Sequence, residues 1–331
     1  MAQLAVSGTG GVIGARVLHR LAQSFDVLDA DDATHLDQHA LEHANREHYE
    51  YDLAGADALV YLRLSGDVTS DRMRRVLAAA DEVRHLTLVS SASVYGAWPN
   101  HPTPISEDLP VRPNAEASWA TRHGLAERMA LEWGGAAPEG TARSVAILRP
   151  APVVSSGMGG PIGEAMLAAA PIRTGSDDPP VQFLHLDDLV SAVALVTRRR
   201  LSGAFNVAPD GWLTPGELRA LLGARPKIRL PLPLPKRLDR YVARRVGHAA
   251  PEGLLPFTRY SWVVANDRLR AAGWAPRYSS AQAFVVADAG MPWDDLNAGQ
   301  RQHAALLGAA ATLAAGVWAA ATWLRRSYAL R

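Results

Sequence analysis

The chain has 331 residues, 48% of them hydrophobic, with a formal net charge of +1, enough apolar material for one large core or a main domain plus a smaller lobe. So small a net charge argues against a general nucleic-acid binder. With no cysteine, disulfides, thiolate nucleophiles and cysteine-ligated zinc are excluded.

At the N-terminus the apolar residues 4–6 run straight into glycines spaced Gly8-x-x-Gly11-x-x-Gly14, and a helix with Val17, Leu18 and Leu21 on its inner face follows. That is the pattern of a phosphate-binding turn. Gly8 lets the chain reverse and Gly11 lets backbone N–H groups approach a pyrophosphate. Gly14 lets helix and strand pack closely, while the helix N-terminus at Gly11, Val12 and Ile13 faces the anion. The strand begins too early to leave room for a signal peptide, which predicts a cytoplasmic body. Residues 26–29 read as a second strand ending in Asp29, with Asp31 and Asp32 just behind. An acid there accepts adenosine ribose hydroxyls and disfavours a 2'-phosphate, so NAD is expected in preference to NADP; a solvated acidic turn is the alternative. His35, His39 and His43 share one helical face. Nothing is placed to close a metal site around them, so they are read as a solvated face and no metal is expected.

Residues 49–53 look like a third strand, and the apolar run 58–62 suits a parallel strand covered on both faces. A helix over 71–81 leads to a strand from Leu86 that ends in Ser90-Ser91. Further strands are expected over 144–154 and 204–208, with Gly157, Gly159 and Gly160 opening a loop into a smaller lobe. Thr214-Pro215-Gly216-Glu217 is a capping box with proline at the first helical position. After an extended connector carrying Pro231, Pro233 and Pro235, Arg237, Arg240 and Arg244 fall on one helical face. They either grip an anionic ligand or acidic lipid headgroups, or are a solvated face over a buried stripe. Residues 304–324 carry no charge over a length that spans a bilayer as a helix, with a small-residue row at Gly308, Thr312 and Gly316 and with Trp318, Trp323 and Tyr328 where an interfacial belt would lie. Membrane contact through 304–324 is expected; the alternative is an alanine-rich helix docked on the body or at a homodimer interface.

The glycine spacing at the chain's start and the run 86–96, Leu-Thr-Leu-Val-Ser-Ser-Ala-Ser-Val-Tyr-Gly, resemble the extended short-chain dehydrogenase/reductase family, the NAD-dependent epimerases and dehydratases. The resemblance covers roughly Leu4 to Phe284. It implies a Rossmann-type doubly wound parallel α/β sheet, residues 1–175 with core strands continuing to about 210, and a smaller C-terminal substrate lobe over 176–290 mixed with returning sheet elements; the hydrophobic helical tail of 291–331 lies beyond it. It also implies a nucleotide-linked small-molecule ligand. By the resemblance, Asp52-Leu53 lies near the adenine ring, Arg149-Pro150 runs beneath the nicotinamide, Ser91 hydrogen-bonds the substrate hydroxyl or carbonyl, and Asp187 and Asp188 cap the helix that follows them.

The family's catalytic Tyr-x-x-x-Lys pair is missing. With Pro113 upstream and Glu127 downstream fixing the register, Trp119 stands at the tyrosine position and His123 at the lysine position. No tyrosine lies between Tyr95 and Tyr241, and no lysine precedes Lys227, so no shift of register restores the pair. The helper asparagine is also absent, with Thr69 near its place, and Arg63 and Leu64 stand where the family carries small residues. The expected protein binds NAD(P) but is a weak or inactive catalyst or a ligand-binding module. The alternative is an active oxidoreductase or epimerase on a nucleotide-linked sugar or similar carbonyl substrate, using Ser91 with His123.

Overall fold

The computed structural model describes residues 3–31, 53, 55–62, 70–137, 142–156, 158–173, 178–223, 228–229, 242 and 251–287, all within a compact unit spanning 1–288. Strand β1 (Gln3–Ser7) runs into α1 (Gly11–Ala22) and returns as β2 (Asp26–Asp29). β3 (Ala56–Leu62), α2 (Ser70–Ala78) and β4 (His85–Val89) follow, and a 3-10 turn at Ala92–Tyr95 precedes α3 (Ser118–Gly135). Next come β5 (Ser144–Pro150), β6 (Val153–Ser155), β7 (Met158–Gly159), α4 (Pro161–Ala169) and β8 (Ile172–Arg173). β9 (Leu184–His185), α5 (Leu186–Arg199), β10 (Gly203–Val207), α6 (Pro215–Leu222) and β11 (Ile228–Arg229) lead to the short helices α7 (Leu255–Arg259), α8 (Asp267–Ala271) and α9 (Ser280–Ala287).

Six parallel strands form the main sheet in the order β10-β5-β4-β3-β1-β2. The chain steps from β1 out to β2 and then crosses to place β3 on the other side of β1, so a crevice opens beyond the strands' C-terminal ends. Side chains alternate across the sheet: Leu4 and Val6 enter one core and Ala5 the other. Val17 and Leu21 of α1 and Leu189 and Val193 of α5 fill the first core. Met73 and Val76 of α2 and Ala126 and Trp133 of α3 fill the second. Cover on both faces is why β3 reads as a continuous apolar run.

Two local expectations change. Leu53, the described residue of the run 49–53, lies outside any strand; its carbonyl accepts from the Ala56 N–H at 3.0 Å in the turn that opens β3. Asp187 and Asp188 do not cap α5. His185 does, its Nδ1 accepting from the Asp187 N–H at 3.2 Å, while the fully buried Asp188 accepts from the backbone N–H groups of Arg277 at 2.8 Å and Tyr278 at 3.0 Å. A carboxylate cut off from water needs strong donors, and the segment before α9 supplies them. Burial still pushes the Asp188 carboxyl above its usual range, against the pull of those two amides.

His35, His39, His43, Asp52, Arg63, Leu64, Thr69, Arg237, Arg240, Arg244 and the stretch 304–324 lie outside the described residues. Among the described residues, no helix is long and apolar enough to cross a membrane, and no three potential metal ligands gather.

Candidate active site

The glycine turn is built by close backbone approach. A Cβ on Gly8, whose φ is +85°, would lie 1.9 Å from the Leu62 carbonyl oxygen at the end of β3, and one on Gly14 would lie 2.4 Å from that of Thr9. Only glycine lets β1, β3 and α1 meet so closely. The N-cap of α1 is Gly10, with no side chain capping the first-turn amides, and a Cβ there would meet nothing within 4 Å. N–H groups at the positive end of a helix that its N-cap residue leaves uncapped suit a pyrophosphate. Gly11 and Val12 open that helix and Ile13 packs beneath it.

Two acids close the other side of the turn. Asp29, the expected ribose acceptor, takes bonds from the Thr9 hydroxyl and the Asp31 N–H, each at 3.0 Å. Asp31, two residues on, reaches further: its carboxylate accepts from the N–H groups of Gly8 at 2.6 Å and Thr9 at 2.7 Å and from the Ser7 hydroxyl at 2.9 Å, and pairs with Arg72 at 2.5 Å. The end of the second strand picked out Asp29. The role of Asp31 depends on the chain turning back over β1, and Arg72 arrives from α2.

Beyond β4, Ser91 caps the 3-10 turn, its Oγ accepting from the Ser93 N–H at 3.2 Å. Ser91, His123 and Pro150 line one solvent-open cleft with Val153, Gly160 and Ile162. The cofactor turn borders it: a Cβ on Gly160 would lie 4.0 Å from Ile13 Cδ1. Three residues drawn together by the sequence reading thus share a cleft beside the glycine turn.

Trp119 turns elsewhere. Its Nε1–H donates to the Glu252 carbonyl at 2.8 Å, and its ring packs against Phe257 with centroids 4.8 Å apart. At 8% exposure, it anchors the segment before α7 onto the start of α3.

Beneath the cleft lies a buried polar chain that the sequence reading did not assemble. Arg149 donates from Nε and one Nη to Glu127 at 3.1 and 2.8 Å, and from the other Nη to the Tyr95 hydroxyl at 2.8 Å. Tyr95 donates to Asn206 at 2.9 Å, and the Ser90 hydroxyl donates to Glu127 at 2.7 Å. Burial alone would lower the Arg149 pKa, but the Glu127 hydrogen bonds and charge outweigh it and raise it. Burial raises that of Tyr95, partly offset by Arg149. The chain joins α3, β5, β10 and the residue before Ser91, so it holds the cleft floor rigid.

Residues 4–208 match the family model described as the NAD dependent epimerase/dehydratase family. The chain belongs to that family. An uncharacterized protein of Mycobacterium tuberculosis is 24% identical over 249 residues, covering 73% of this chain; the match spans 63% of the relative's length. Among solved members of similar fold, a short-chain dehydrogenase/reductase superfamily protein from Agrobacterium tumefaciens with bound NAD aligns over 86% of this chain and 95% of its own, with a TM-score of 0.58 and 17% identity. A UDP-galactose 4-epimerase aligns over 86% and 97%, with a TM-score of 0.57 and 19% identity.

Proposed function

We propose that this protein binds NAD(P) and is a weak or inactive member of the epimerase/dehydratase family, acting as a cofactor- and ligand-binding module. Trp119 carries the reading. At the place of the family's tyrosine stands an indole whose N–H donates without titrating near neutrality and already bonds Glu252. The glycine turn and the uncapped start of α1 would hold the pyrophosphate, Asp29 and Asp31 support NAD over NADP, Pro150 would lie beneath the nicotinamide, and Ser91 would bond a ligand hydroxyl or carbonyl. The bound dinucleotide would supply the hydride chemistry.

One observation favours the second reading, an active oxidoreductase or epimerase on a nucleotide-linked sugar or similar carbonyl. Ser91 and His123 share the cleft, so an imidazole that titrates near neutral pH would stand where proton transfer is needed. Calorimetry with NAD and NADP, followed by incubation with UDP-galactose read both by nicotinamide absorbance, for net oxidation, and by chromatographic detection of the epimer, for redox-neutral turnover, separates the two. Expected are saturable NAD binding that Gly11→Asp abolishes, and turnover well below about 1 per second, the low end of ordinary enzyme rates. Trp119→Tyr combined with His123→Lys should then raise turnover. Ordinary rates in the parent, lost in His123→Ala, would establish the second reading, and failure to bind either dinucleotide would overturn both.

On sequence grounds we also propose that 304–324 contact a membrane and hold the body at its cytoplasmic face.

A further inference from the structure

The two oxygens of the Asp31 carboxylate have separate partners. Oδ2 serves the glycine turn, accepting from the Gly8 N–H at 2.6 Å, the Thr9 N–H at 2.7 Å and the Thr9 hydroxyl at 3.1 Å. Oδ1 accepts from the Ser7 hydroxyl at 2.9 Å and pairs with a terminal nitrogen of Arg72 at 2.5 Å. Arg72 stands in the first turn of α2. Its side chain is 29% exposed against 9% for Asp31, so the arginine is the outer member of the pair.

This pair adjoins the expected ribose acceptor. The Thr9 hydroxyl that meets Asp31 also lies 3.0 Å from Asp29 Oδ1, and the Asp31 N–H donates to that same oxygen at 3.0 Å. Asp29, Thr9, Asp31 and Arg72 therefore form one linked row from the end of β2 to α2, with two carboxylates and one guanidinium. A 2'-phosphate on a ribose held by Asp29 would bring about −1.5 to −2 charges at pH 7 against a row that is itself net negative. The guanidinium in that row is already committed to a carboxylate.

We propose that Arg72 is a cofactor-specificity residue held in check by Asp31. Paired, it leaves the site selective for NAD; released from the carboxylate, it turns its guanidinium to a 2'-phosphate and admits NADP. This selectivity deepens the cofactor reading above and rests on it. An arginine near the ribose is what accommodates a 2'-phosphate in dinucleotide-binding sheets, and its planar fork of donors matches a phosphate as well as a carboxylate.

The split between the two oxygens lets one substitution separate their roles. In Asp31→Asn the amide oxygen can take the place of Oδ2 and go on accepting from Gly8 and Thr9. The NH2 group then takes the place of Oδ1, where the Ser7 hydroxyl can rotate to accept from it but Arg72 meets only another donor. Asp29→Asn removes the same charge from the row yet leaves Arg72 tied to Asp31, so it distinguishes release of the guanidinium from simple loss of repulsion.

The test is calorimetric titration of the full chain and its variants with NAD and with NADP. The wild type should bind NAD more tightly than NADP. Asp31→Asn should tighten NADP binding by about tenfold or more, the worth of a charge-assisted hydrogen bond. Asp29→Asn should give no comparable gain, and adding Arg72→Gln to Asp31→Asn should remove the gain. Asp31→Ser, short and neutral, carries the comparison if the asparagine variant fails to fold. NADP affinity that the folded Asp31 variant does not change, a gain that survives Arg72→Gln, or an equal gain in Asp29→Asn would overturn the proposal. A wild type that prefers NADP with Asp31 in place would overturn it while leaving dinucleotide binding intact. A wild type that binds neither nucleotide would overturn the cofactor reading as well, so the two failures are told apart by the first titration.

Discussion

Glu127 and Arg149 are 4% and 8% exposed as side chains and only 2.8 Å apart, so each charge depends on the other in surroundings that water does not reach. Removing one member strands its partner. Glu127→Ala should therefore cost about 3–5 kcal/mol, the usual penalty for breaking a buried pair, read from urea unfolding. Glu127→Gln keeps an acceptor for Arg149 and should cost less. Tyr95→Phe, which deletes the hydroxyl between Arg149 and Asn206, should cost about 1–3 kcal/mol, because it leaves Arg149 and Asn206 each short of one partner in a dry site. The Ser90 bond to Glu127 ties this chain to the neighbouring Ser91. Glu127→Gln should accordingly perturb ligand binding in the cleft.

Strand β4 carries its own pH dependence. His85, fully buried at its start, bonds Ser144 on β5 at 2.8 Å and Thr87 at 2.9 Å, and Thr87 in turn bonds Thr197 of α5 at 2.9 Å. Burial lowers its pKa from 6.5 to about 4, so between those values the unfolded chain takes up a proton that the folded one refuses. Stability is then full above pH 6.5 and falls as the pH drops towards 4. From pH 7 to pH 5 the loss due to His85 should be about 2 kcal/mol. His85→Gln should flatten the urea-unfolding midpoint over that range, leaving the smaller slope due to His101 and His185, whose pKa values burial also lowers. The elements that position the site were legible because their signals are local: an apolar run into Gly8-x-x-Gly11-x-x-Gly14, a continuous stretch for a doubly covered strand, and a capping box at Thr214. The gap at Trp119 was legible by elimination, since no tyrosine is near. What Trp119 does instead was not, because its partner Glu252 is 133 residues away and a backbone carbonyl leaves no mark on the sequence. Asp188 misled for the same reason. The family segment it matches suggested a cap, whereas its partners lie 89 and 90 residues on.

Those distant bonds bind the later segments to the sheet as one body. Trp119 holds the segment before α7, Asp188 holds the one before α9, and Gln182 donates to the Val264 carbonyl at 3.2 Å and accepts from the Val264 N–H at 3.0 Å. The unit 1–288 therefore has its own core and contains the glycine turn, its acids Asp29 and Asp31, and Ser91. Truncation before Gln302 should release a body that binds NAD with the affinity of the full chain. The uncharged stretch 304–324 should make the full chain sediment with phospholipid vesicles and stay there in high salt. Salt shortens the reach of arginine attraction to lipid headgroups, about 10 Å at 0.1 M ionic strength, but does not extract a helix buried in hydrocarbon. If the full chain stays in the supernatant without detergent and truncation lowers its melting temperature, the stretch is a helix docked on the body or at a homodimer interface, and the arginines that follow it face water.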